Sequence, residues 1–202
     1  MSREIGFLKN FVEGKIDIKS FEKELYENNS LKTLLEDRSL NWAETYLKNT
    51  NPYLYLLELN YNDAGDRLNA HGTVELFLKN IGIEFNVNKQ FSDEYDLILN
   101  AMPKYLDIDM EFIQKYIFPK DKNISKKEIK EYMKLKFREY FKYHNKPPQW
   151  IQNPEWIIKN DIPLFFLGQK EIKDCELFHD NGAIYIFIDV KTKEIETVIQ
   201  LY

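Results

Sequence analysis

Pro147-Pro148-Gln149-Trp150-Ile151-Gln152-Asn153-Pro154-Glu155-Trp156 decides the fold, because two different kinds of sequence meet there. After it come three runs that read as strands: Pro163-Leu164-Phe165-Phe166-Leu167-Gly168-Gln169, Ala183-Ile184-Tyr185-Ile186-Phe187-Ile188-Asp189-Val190 and Ile195-Glu196-Thr197-Val198-Ile199-Gln200-Leu201-Tyr202. Before Pro147, apolar residues recur mostly at helical spacing. The expected class is α+β, with a helical region over residues 1–146 and a small antiparallel sheet over 147–202, packed as one compact unit.

Pro147-Pro148 blocks helix continuation and sends the chain into extended structure. Trp150 and Trp156 are expected to cover an edge of the sheet while their indole nitrogens find hydrogen bonds. Asp189-Val190-Lys191-Thr192-Lys193-Glu194 is a tight connection, so the last two strands should form an antiparallel hairpin. Lys170 to Gly182 is a longer polar excursion between the first two.

Upstream, Asp17 is placed to cap a helix running toward Leu35, with Ile16 and Phe21 as a hydrophobic staple and Asn28-Asn29-Ser30 as a break. Leu40 to Leu47 reads as a short helix, and Tyr53 to Leu59 as an apolar-dense segment. Leu68 to Ile81 reads as a helix with Leu68, Val74, Phe77, Leu78 and Ile81 facing inward, followed by Gly82 where positive φ turns the chain. Ile83 to Val87 alternates as a short strand or extended link. Helices are expected from Ser92 to Met102 and from Met110 to Phe118. Ser125-Lys126-Lys127-Glu128 fits a capping box, opening a helix with Ile129, Tyr132, Met133, Phe137, Tyr140 and Phe141 inward and Lys127, Lys130, Lys134 and Arg138 toward water.

A chain of 202 residues buries about 70% of its unfolded surface, enough to fold without staples. The 13 Tyr and 14 Phe are an unusual number; many of these rings need polar neighbours or a wet surface, and some are expected at an interface. Cys175 is the single cysteine, so an intrachain disulfide and a cysteine-based zinc cluster are excluded. Met1-Ser2-Arg3-Glu4 lacks the basic lead and apolar run of a signal peptide, and no apolar stretch reaches the roughly 20 residues of a membrane span. The expected location is therefore the cytoplasm, with no membrane partner.

The net charge of −5 is unevenly spread. Residues 120 to 146 hold ten Lys or Arg against four Asp or Glu, so the remainder is strongly acidic. That separation favours a basic protein partner and disfavours nucleic-acid binding over the whole surface. The basic helix is read first as a solvated face; a scaffold or nucleic-acid adaptor using Lys127, Lys130, Lys134 and Arg138 is the other reading, in which binding falls with salt.

Three groups of residues carry possible chemistry. Asp63, Asp66 and His71 are the most enzyme-like, since a carboxylate orients a histidine for general-base work. The simpler reading is that Asp66 caps the next helix and His71 lies on the surface. Cys175, His179 and Asp180 suggest a thiol–imidazole pair or metal ligands, but they fall in a loop and are too few for a structural zinc site. Gly168 and Gly182 belong to no phosphate loop or dinucleotide fingerprint, so no cofactor is expected. The third group is the acid-rich stretch from 51 to 118, eleven acids against five bases, with Asp93, Glu94 and Asp96 in one cluster and Asp107, Asp109 and Glu111 in another. These carboxylates read either as helix-terminus decoration or as a docking surface, with Tyr95, Tyr105 and Tyr116 adding aromatic contact area.

Pro148-Gln149-Trp150-Ile151-Gln152 with Pro154-Glu155-Trp156, then Pro163 to Gln169 and the terminal strand, resembles a module of small bacterial proteins, some of which are similar to immunity proteins of polymorphic toxin systems. Phe11-Val12-Glu13-Gly14-Lys15-Ile16, followed by Phe21 and a leucine-rich helix, is similar in style. Ile157 departs from the pattern, which has proline after the second tryptophan. The resemblance implies a protein with no chemistry of its own that binds and neutralises a cognate toxin. A nuclease toxin fits best, because its phosphate-binding surface is basic and an acidic inhibitor occupies it in place of nucleic acid. The expected docking residues are Asp93, Glu94, Tyr95, Asp96, Tyr105, Asp107, Asp109 and Glu111. The alternative is a small hydrolase-like enzyme built on Asp63, Asp66 and His71.

Overall fold

A computed structural model of the chain describes residues 2–120, 124–173 and 180–202. Helices occupy the N-terminal two-thirds and a small antiparallel sheet the C-terminal part, the α+β arrangement expected. The chain divides into two compact units, Met1–Asp96 and Leu97–Tyr202.

The first unit contains α1 (Arg3–Val12), α2 (Ile18–Glu27), α3 (Asn29–Leu35), α4 (Pro52–Glu58), α5 (Ala64–Asn80) and the start of α6 (Gln90–Ala101). Local chemistry sets most boundaries. Asp17 accepts from the amides of Lys19 and Ser20 at the head of α2. Asn28 ends α2 and caps α3 through the amides of Ser30 and Leu31, the expected break. Asn51 caps α4, whose first residue is Pro52, where a missing N–H does no harm. The core is aliphatic and aromatic: Phe11 stacks on Phe21 at 4.0 Å, and Leu8, Leu25, Leu31, Leu56, Val74 and Phe77 close around them.

Gly14 shows why the first turn carries glycine. Its φ is +75°, and a Cβ there would fall 2.1 Å from the Asn88 side-chain nitrogen. Gly82, at φ +72°, turns the chain after α5 as expected.

Several expectations are corrected. Leu40 to Leu47 forms turns, not a helix, because Asn41 and Thr45 use their side chains on the amides of Ala43 and Leu47. Asp63, not Asp66, caps α5; Asp66 sits inside the first turn, donating its own amide to Asp63 and accepting from Asn60 N. Leu68 and Ile81 face inward as expected, packing half-buried against the core that Val74, Phe77 and Leu78 complete. Of the two readings of Ile83 to Val87, the extended link is the one formed; the segment joins no strand among the described residues.

The second unit contains the rest of α6, α7 (Met110–Phe112), α8 (Lys126–Tyr140), β1 (Ile158–Lys159), β2 (Ile162–Pro163), β3 (Phe165–Ile172), β4 (Gly182–Ile188) and β5 (Ile195–Leu201). α7 runs into a π-helical turn, Ile113–Ile117, closed by Phe118 N on Ile113 O at 2.7 Å. The Ser125–Glu128 capping box opens α8 as its sequence indicates. Met133, Phe137 and Phe141 point inward, but Tyr132 does not; it is 40% exposed beneath Lys136.

β3, β4 and β5 form one antiparallel sheet in chain order, with a bulge between Phe166 and Gly168. β1 and β2 form a separate two-residue hairpin whose turn, Asn160-Asp161, has positive φ at both positions, the geometry that matches strand twist in a tight hairpin. Trp150 and Trp156 cover the inner face of the sheet, not its edge: Trp150 lies 4.3 Å from the Tyr185 ring, and Trp156 meets Phe166, Phe187 and Phe141. The reason is period two. Tyr185 and Phe187 of the central strand both point to this face and present an aromatic floor. Each indole nitrogen finds a carbonyl, Trp150 that of Tyr105 and Trp156 that of Leu164.

Candidate protein-docking surface

The two acidic clusters belong to different units and differ in what holds them. In the first unit, α6 carries Asp93, Glu94, Tyr95 and Asp96. Glu94 Oε1 accepts from Arg67 Nη2 at 2.7 Å, and the same guanidinium donates to the carbonyls of Tyr61 and Asn62. Arg67 is buried, so Glu94 balances an interior charge and ties α6 to α5. Tyr95 is half-buried beside Gly65, where its ring would lie 3.5 Å from an added Cβ. Asp93 is half-buried as well, and Asp96 is exposed.

The second cluster follows from alternation. From Tyr105 to Phe112 the chain buries Leu106, Ile108 and Phe112 and exposes Asp107, Asp109 and Glu111. The apolar members anchor the segment, so the carboxylates project from backbone that is already fixed. Asp109 precedes α7 without a side-chain cap bond, and Glu111 lies in its first turn. Among the described residues, Asp107, Asp109 and Glu111 have no ion-pair partner.

The tyrosines near these clusters serve the fold as well. Tyr105 is half-buried against Tyr143 and Trp156, and burial, with Tyr143 beside it, pushes its phenol above the usual range. Tyr116 donates to Asp161 Oδ2 at 2.8 Å, and Lys115 Nζ reaches the same oxygen at 2.8 Å. The Lys115 ammonium, with the Tyr116 hydroxyl, holds Asp161 below the ordinary carboxylate range.

His71 does not meet Asp63 or Asp66, and it is not on the surface. It is 3% exposed, between the rings of Phe11 and Phe91. Nε2 lies 3.0 Å from Val12 O, and Nδ1 lies 3.0 Å from Glu75 Oε1. A carbonyl only accepts, so Nε2 is the donor to Val12 O. Both nitrogens are thus engaged within the first unit, joining the end of α1 to α5. Cys175 and His179 lie outside the described residues. Among the described residues, no group of three His, Cys, Asp or Glu is placed to hold a metal ion, and no helix is long and apolar enough to cross a membrane.

The basic helix spends part of its charge on itself. Lys134 pairs with Glu131 and Lys136 with Glu139, each within one turn of α8.

The Trp-Gln and Gly-Gln elements form a polar network that sequence reasoning did not assign. Gln200 is 3% exposed; its Oε1 accepts from Ile151 N and Gln152 N at 3.0 Å each, and its Nε2 donates to Asn153 O at 2.8 Å. The Tyr185 hydroxyl accepts from Ile151 N and donates to Gln149 O. Gln169 Oε1 accepts from Gln149 N at 2.7 Å, and Gln152 Nε2 donates to Leu201 O at 2.7 Å. A strap from 149 to 153 is thereby fastened across the sheet through amides, which explains why glutamine stands at these places. No protein-family model, curated protein or solved structure matches the chain.

Proposed function

We propose that this protein is an immunity-type inhibitor that acts in the cytoplasm by binding a basic bacterial toxin and covering its working surface. The observation that carries the reading is the row Asp107, Asp109 and Glu111: three exposed carboxylates, none neutralised by a described neighbour, on a segment anchored by the buried side chains of Leu106, Ile108 and Phe112. Charges held this way steer an approaching cation and lose little freedom when they pair with its Lys or Arg residues. A nuclease toxin suits this row best, since a surface shaped for phosphates presents the opposite charge. Glu94, in the first unit, contributes less because Arg67 already holds it.

The test is co-expression with the candidate toxin encoded beside this gene. Wild-type protein should protect cells and form a stable pair with the toxin. Asp107→Lys with Asp109→Lys and Glu111→Lys should lower the association rate about tenfold or more and flatten its salt dependence. Cells that die despite abundant wild-type protein would overturn the reading, as would a charge-reversed variant that protects as well as wild type.

A further inference from the structure

The two edges of the β3–β4–β5 sheet are treated differently. At β3, the segment before the strap lies alongside the strand: His144 N donates to Phe166 O, and Phe166 N donates to Lys142 O, both at 3.0 Å. Among the described residues, no segment pairs with the outer side of β5.

The β4–β5 ladder fixes which backbone groups that outer side presents. Asp189 N donates to Glu194 O at one end, and Tyr202 N donates to Asn181 O at the other. In an antiparallel register, hydrogen-bonded and non-hydrogen-bonded pairs alternate. Glu196, Val198 and Gln200 therefore bond to β4, while Ile195, Thr197, Ile199 and Leu201 turn their N–H and C=O groups outward. The Leu201 carbonyl is taken by Gln152. What remains is a three-residue edge with Ile195 63% exposed, Thr197 exposed and Ile199 46% exposed. Unpaired backbone of this kind, flanked by β-branched side chains, is a template for another strand.

We infer that β5 pairs antiparallel with β5 of a second copy of this chain, about a two-fold axis at Thr197. Charge selects the register. Centring the axis on Glu196 would set that carboxylate against its own copy, and centring it on Ile195 would set Glu194 against Glu196; like charges directly opposite are destabilising. Centring it on Val198 would pair Ile195 with Leu201, whose carbonyl Gln152 already occupies. At Thr197 all three free positions are used: Ile195 faces Ile199 twice and Thr197 faces itself, while Glu196, paired with Lys159, faces Val198. The contact is isologous, so it closes at two copies.

Sedimentation or size-exclusion chromatography with light scattering tests this on the full chain. Wild type should pass from monomer to dimer as its concentration rises. Thr197→Lys should stay monomeric throughout, with an unchanged circular dichroism spectrum, because the substituted side chain is exposed. In a Cys175→Ser background, Thr197→Cys should form a disulfide-linked dimer on mild oxidation and Ile195→Cys should not, since Ile195 faces Ile199 of the other copy. A wild type that is monomeric at every concentration overturns the inference. So does a Thr197→Lys variant as dimeric as wild type, or an Ile195→Cys variant that cross-links as readily as Thr197→Cys.

Discussion

His71 Nδ1 stands 3.0 Å from Glu75 Oε1 one helical turn along α5, while the opposite nitrogen of the same ring holds the Val12 carbonyl at the end of α1. The ring is a cross-brace in the first unit. Lys79 approaches Glu75 from the solvent side at 3.4 Å, so the carboxylate has partners on both sides. Replacing His71 by Ala should cost about 3 kcal/mol of stability, from the space left between Phe11 and Phe91 and from the stranded Val12 and Glu75 acceptors. His71→Gln, which keeps a donor, should recover part of it. Denaturant midpoints at constant slope provide the measurement, and an unchanged midpoint for the Ala variant would remove the brace.

Gln200 supplies three of the bonds that hold the strap to β5. Gln200→Leu preserves approximate volume and should lower stability by about 2 kcal/mol, because Gln152 N and Asn153 O then lose their partners. Amide hydrogen exchange at residues 151 and 152 should accelerate more than exchange in β4. Uniform acceleration across the second unit would mean that the strap does not open separately.

Two glycines should respond with opposite signs. Gly14→Ala places a Cβ into Asn88 at positive φ and should destabilise by about 1–2 kcal/mol. Gly72→Ala, within α5 and with nothing within 4 Å of the added carbon, should stabilise by about 0.5–1 kcal/mol. Thermal melts of the two single variants check the pair.

Acid should loosen the fold through specific carboxylates. Asp17 is held below its ordinary range first by the Ser20 hydroxyl, Glu128 by the Ser125 hydroxyl, Asp161 by Lys115, and Asp189 by the Lys191 amide. Each takes up a proton more readily when unfolded, so its contribution is present above the unfolded carboxyl range and is lost as pH falls through the lower folded value. Unfolding free energy should be flat above about pH 6 and decline below about pH 4. Asp17→Asn keeps a capping acceptor without a titrating charge, and its decline should be shallower than that of wild type.

The sequence was most legible where partners lie within one turn. Ser125 and Glu128 satisfy each other locally, as do Asp17 and Ser20, and their helices begin where the residues indicate. The three main strands are legible because alternating side chains bury or expose themselves without distant help, but their bounds are not: β3 begins at Phe165 and takes in Lys170 to Ile172, which composition assigns to the polar excursion, and β4 begins at Gly182. His71 was misread because its acceptor, Val12, is 59 residues away. Glu94 looked like surface charge until Arg67, 27 residues earlier, met it. Leu40 to Leu47 failed for a local reason: apolar spacing suggested a helix, but Asn41 and Thr45 offered the backbone closer acceptors. The row from Asp107 to Glu111 was visible as composition, and the burial of Leu106 and Ile108 explains why it faces outward.

The amide fastening between residues 149–153 and β5 also sets an order of events during synthesis. The strap leaves the ribosome about 50 residues before Gln200, so for several seconds, at ordinary elongation rates, Trp150 within it and Trp156 just after it have no completed floor to rest on. Maturation of the second unit therefore waits for β5, and a nascent chain halted just short of Gln200 should bind trigger-type holdases or be cut by proteases at the strap.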